Sequence, residues 1–82
     1  MKRQRTVFPA KADFSGWWIK SKKGAVGQLV AAGRNLHDDR VYKIQFENGQ
    51  LGGRAWAMSE LSLSEVQIHE DRKDLKGEYY GL

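Results

Sequence analysis

The residues of this 82-residue chain whose types and spacing could do chemistry are cations and aromatics set at strand spacing. In Tyr42-Lys43-Ile44-Gln45-Phe46 apolar side chains alternate with polar ones, the period of two of a strand with one buried face. With Tyr42, Ile44 and Phe46 directed inward, Lys43 and Gln45 point out. In Gly53-Arg54-Ala55-Trp56-Ala57-Met58, small Ala55 and Ala57 suit the inside of a tight curl, which turns Arg54, Trp56 and Met58 outward. Lys43, Gln45, Arg54, Trp56 and Met58 then make an expected surface strip, extended by Trp18 and Lys20. Its chemistry fits a polyanion: cations neutralise phosphates, an indole stacks on a base or wedges at a step, and a thioether fills the gap.

Other chemistry is thinly represented. His37, Asp38, Asp39 and His69 place two carboxylates and one imidazole in a single loop, short of a closed tetrahedral metal set, and read as a solvated turn. No Ser/His/Asp set, phosphate-binding loop or paired buried carboxylates stand out. No metal, cofactor or conventional catalysis is therefore expected.

The charge layout points the same way as the strip. Residues 1–23 carry seven bases against Asp13 alone, a balance of +6; residues 24–59 balance at +1 and residues 60–82 at −3, giving the net +4. Lys2, Arg3 and Arg5 lie in an aperiodic N-terminal arm, and Lys22 and Lys23 in a turn. A basic front implies an anionic partner, most often nucleic acid, with a solubilising arm as the alternative reading.

The elements that must position these groups are short strands. Eighty-two residues make one domain, and with no cysteine it has no disulfide to brace it. Three Trp, three Tyr and three Phe must supply much of the core. No apolar run approaches a membrane span, and no apolar segment follows the charged N-terminus, so the cytoplasm is the expected compartment.

Strands are expected over 16–21, with Trp17 and Ile19 on one face and Trp18 and Lys20 on the other, over 26–32, over 40–46 and within 53–58. A helical turn at Ser59-Glu60-Leu61 and a closing strand over 66–69 complete the set. Asn48-Gly49 predicts a type I′ hairpin turn, and Gly27 a bulge or a close approach. The chain divides into a basic arm and edge segment over 1–15, in which Val7-Phe8-Pro9 packs on the domain, a barrel over 16–69, and a charged, aromatic tail over 70–82 ending Glu78-Tyr79-Tyr80-Gly81-Leu82. The fold class is all-β: a small barrel of about five short antiparallel strands with disordered tails.

The stretch holding the Gly27 strand, Tyr42-Lys43-Ile44-Gln45-Phe46-Glu47-Asn48-Gly49 and Ser59-Glu60-Leu61 resembles the central part of SH3-like or Tudor-like barrels over roughly half the chain. Gly53-Arg54-Ala55-Trp56-Ala57-Met58-Ser59-Glu60 resembles, with one residue inserted, part of the DNA-binding sheet of the small archaeal chromatin proteins. Val7-Phe8-Pro9, the Lys22-Lys23-Gly24-Ala25 turn and Gly27-Gln28-Leu29-Val30 are similar to the front half of the plasmid-borne type II dihydrofolate reductases. That resemblance implies a tetramer whose single pore holds folate and a nicotinamide cofactor, with Lys22 or Lys23 as its lysine. Val66-Gln67-Ile68-His69 matches three letters of their pore motif, but lies further downstream and has His in place of Tyr.

The reading that follows is a non-catalytic barrel module binding nucleic acid through the arm and the strip, with little direct base readout because no helix is available for a groove. A protein-interaction module docking on a larger machine, and a reductase-like oligomer, are the alternatives. The number of chains that assemble is left open.

Overall fold

The computed structural model describes residues 8, 9, 11–64 and 66–75. Five antiparallel strands form one curled, half-barrel sheet: β1 (Trp18–Lys20), β2 (Val26–Arg34), β3 (Arg40–Phe46), β4 (Trp56–Ala57) and β5 (Gln67–His69). Their order is β4-β3-β2-β1-β5. A six-residue helix, α1 (Met58–Leu63), links β4 to β5, and a 3₁₀ turn (Arg72–Asp74) follows β5. The all-β, five-strand expectation holds. The arm with Lys2, Arg3 and Arg5, and residues 76–82 of the tail, lie outside the described residues. None of the described helices is long and apolar enough to cross a membrane.

Alternation fixes which way the sheet faces. Ile19 pairs with Gly27 and Ile68, Gly27 with Phe46, Leu29 with Ile44, and Ala31 with Tyr42, so these residues share the core face. Ile19, Leu29, Tyr42 and Ile68 are buried there with Phe14, Met58, Leu61 and Val66. A Cβ added at Gly27 would stand 2.7 Å from both the Gln45 carbonyl oxygen and Ile44 Cγ2, so the strand can cross here only with glycine. The bulge lies further along β2, where Ala32 is the extra residue between the Ala31–Tyr42 and Gly33–Val41 pairs. Past Leu29, β2 runs on beyond β1, and Val30 to Arg34 are exposed.

One side chain ties the N-terminal segment to this core. Tyr42 has no exposed surface; its hydroxyl accepts the Phe14 N–H at 2.8 Å and donates to the Ala12 carbonyl at 3.1 Å. Phe14 stacks edge-on against Trp17 (centroids 4.8 Å apart) and Phe8 (5.2 Å). Trp17 therefore enters the core side beneath Phe8, while Trp18 stands on the opposite face.

The β3–β4 hairpin differs from expectation. Gly49 alone takes positive φ (89°); Asn48 does not, and Asp38 is the only described non-glycine residue that does. Phe46 N–H bonds the Gln50 carbonyl (3.0 Å) and Gly49 N–H bonds the Phe46 carbonyl (2.9 Å), closing a three-residue loop instead of a type I′ turn. Asn48 stays at negative φ because its Oδ1 accepts the Gln50 N–H at 2.9 Å, an Asx arrangement that suits a right-handed turn. The β2–β3 tip repeats this plan, with Asp38 (φ 63°) in the left-handed place and Asn35 Oδ1 accepting from His37 and Asp39.

Candidate functional site

The outer face of the sheet carries most of the expected cation–aromatic strip. Cross-strand pairing sets His69, Trp18, Gln28 and Gln45 in one row over four strands. Beside it on one side stand Gln67, Lys20 and Val26, and on the other Val30 and Lys43. Trp18, Lys20 and Lys43 are half-buried and Gln45 is exposed. Lys22 and Lys23 are exposed in the turn after β1, where Gly24 N–H bonds the Ser21 carbonyl. Third-strand alternation placed Lys43 and Gln45 correctly, because the apolar residues between them are the ones that leave water.

The fourth strand departs from expectation. Tyr42 pairs with Trp56 and Val41 with Ala57. Directly paired residues share a face, so Trp56 lies on the core side with Tyr42, against the sequence reading; Ala55 is exposed where an inward position was expected, while Ala57 is buried as expected. Its indole is half-buried and packs against the core cluster. Met58 is also corrected: it has no exposed surface, because the helix begins there and strand alternation no longer applies. Arg54 is exposed, but its guanidinium lies 3.8 Å from the Trp56 ring centroid and 3.3 Å from Glu60 Oε1, so its charge already has an acidic partner. Arg54, Trp56 and Met58 therefore do not join Trp18, Lys20 and Lys43 in one surface.

A helix-start signal was present in the sequence. Glu60 sits three residues after Ala57 and its Oε2 accepts the Ala57 N–H at 2.8 Å, the reciprocal half of a capping box whose other half alanine cannot supply. Met58, Leu61 and Ser62 are buried at i, i+3 and i+4. Between this helix and the sheet opens an apolar cavity of about 300 Å³, with Ile44, Phe46, Trp56, Leu61 and Val66 in its wall.

Sequence reasoning missed a second arginine–indole pair on the outer face. Arg72 of the 3₁₀ turn bonds Glu47 twice, Nε to Oε2 at 2.5 Å and Nη2 to Oε1 at 2.9 Å, and its guanidinium carbon lies 5.8 Å from the Trp18 centroid. Only opposite charge signs hinted at a contact across 25 residues. The hydrogen bonds from Arg72 hold the Glu47 carboxyl below the ordinary carboxylate range, and the same bonds raise Arg72. In the row itself, His69 Nε2 is buried without a hydrogen-bond partner among the described residues.

His37, Asp38 and Asp39 belong to the β2–β3 tip, where Arg34 bonds the Asp38 carbonyl at 2.9 Å and its carboxylate at 3.4 Å. Among the described residues no group of three or more His, Asp or Glu converges as a metal site would require. Comparison with protein-family models, with curated proteins and with solved structures returned no match to this chain.

Proposed function

We propose that the protein is a non-catalytic, small SH3-like barrel module that binds nucleic acid on the outer face of its sheet, with the cytoplasm as its expected compartment. The observation that carries this reading is the placement of Trp18 on one face with Lys20 and Lys43, beside the Lys22-Lys23 turn. Trp18 replaces Trp56 as the stacking group, and the lysines neutralise phosphates along a shallow surface with glutamines between them. Lys2, Arg3 and Arg5 add charge from the arm. The curled, five-stranded antiparallel sheet is consistent with an SH3-like barrel.

Titrating the full chain into a short fluorescein-labelled oligonucleotide tests the reading. Each phosphate neutralised should steepen the fall of log affinity with log salt by about 0.7–0.9. Trp18→Ala and Lys43→Glu should weaken binding, whereas Arg54→Ala should leave it unchanged. Absence of binding at low ionic strength removes the proposal.

A second reading rests on the cavity beside Trp56. A protein partner could place an apolar side chain against Ile44, Phe46 and Val66, with Arg54 and Glu60 at the rim. Capture of a protein from nuclease-treated lysate that is lost in Trp56→Ala and retained in Trp18→Ala separates it from the first.

A further inference from the structure

We infer that the segment after β5 is an autoinhibitory strap, closed over the nucleic-acid face by the Glu47–Arg72 clasp; this rests on the outer-face reading above. The chain leaves β5 at His69, the residue paired with Trp18, and within three residues Arg72 reaches both the Trp18 ring and Glu47, which follows β3. The strap thus passes from one edge of the sheet toward the far end of the third strand, beside the one indole available for stacking.

Its composition suits an internal competitor for phosphate. Glu70, Asp71 and Asp74 flank Arg72 and Lys73 in the chain, so residues 70–74 carry three acids against two bases, a balance of −1. A phosphate chain approaching Trp18 meets a guanidinium already committed to Glu47. Opening the clasp uncovers the ring and frees the Arg72 charge for the ligand.

The clasp has the properties of something that opens. Its two side chains remain 53% and 45% exposed, so water and salt compete for both partners. No residue of the 3₁₀ turn is buried, which leaves half-buried Leu75 as the one apolar side chain over residues 70–75 to hold the segment down once the charges part. Affinity measured on the closed protein is reduced by the fraction of molecules in which the strap is open.

The test exploits the opposite charges of the two residues. Arg72→Ala removes a cation and Glu47→Gln an anion, so simple attraction predicts opposite changes in oligonucleotide affinity, whereas a released strap predicts that both tighten. The expected result is tighter binding of the labelled oligonucleotide by both variants, about threefold for a clasp this exposed. Iodide quenching of the outer indole should increase in each without nucleic acid present. The charge-exchanged double variant, Glu47→Arg with Arg72→Glu, should return towards the wild-type affinity. Weaker binding by Arg72→Ala together with tighter binding by Glu47→Gln, or no change in either, overturns the strap and leaves the outer face standing. No binding by any form overturns both.

Discussion

The molecule sets two tryptophans under two arginines, each arginine paired with a glutamate, and the two assemblies do different work. At Trp56 the partners are local: Arg54 and Glu60 are six residues apart, and Glu60 also caps the helix through Ala57 N–H. The indole beneath faces the core. At Trp18 the partners are distant: Glu47 and Arg72 are 25 residues apart and join a turn after the last strand to a hairpin in the middle of the chain. Breaking the first loosens the β4–α1 junction, and its neighbours in sequence remain close enough to remake it. Breaking the second releases a segment. Similar chemistry is therefore structural in one place and conditional in the other, and sequence separation decides which.

The comparison can be broken by substitution. Trp56→Ala should cost the most, about 2–4 kcal/mol in urea unfolding, because it opens the core side over Tyr42. Trp18→Ala should cost about 1 kcal/mol or less, since that ring packs on the outer face. Equal losses would show that the two indoles are not distinguished by the core.

Tyr42→Phe sharpens the core side of the contrast. It strands the Phe14 N–H and the Ala12 carbonyl and should destabilise by about 1–3 kcal/mol, with increased amide exchange at Phe14 as the local signature. Glu60→Ala should follow at about 1 kcal/mol, read as fraying of the short helix by carbon chemical shifts.

The smallest effect belongs to the clasp, and pH reports it. Arg72 depresses the Glu47 carboxyl, so the pair is complete at neutral pH and is lost as pH falls through the depressed value. The Glu47 carboxyl carbon followed by NMR should titrate below the ordinary value in wild type and return to it in Arg72→Ala. An unshifted Glu47 in the wild-type protein would dissolve the contrast between the two assemblies.

Much of the fold was written in local pattern. Arg40–Phe46 shows its strand through alternation, and Gly27 marks a crossing too close for any side chain. The outer lysines followed from the same alternation. Strand four was misread because two alternating residues fix no register: choosing alanines for the inside put Trp56 and Met58 out, while pairing with Tyr42 and the start of a helix at Met58 put them in. The Asn48-Gly49 turn was misjudged in type because both residues tolerate positive φ, and only the side-chain bond to Gln50 decides that Asn48 does not use it. The Glu47–Arg72 bond was beyond reach for another reason. A contact between two charged residues far apart in the chain has no periodicity, and only the folded sheet brings its ends together.

The overrun of β2 past β1 bears on solubility. Val30-Ala31-Ala32-Gly33 is an uncharged rim whose outer side has no neighbouring β1 residue, the kind of edge on which a second molecule could lay a strand. The extra residue at Ala32 interrupts the even spacing of amides that such templating needs, and Arg34 ends the rim with a charge. The surplus residue at Ala32 thus makes this rim a poorer template for a second strand, and deleting it should restore the regular ladder and raise light scattering of the concentrated protein.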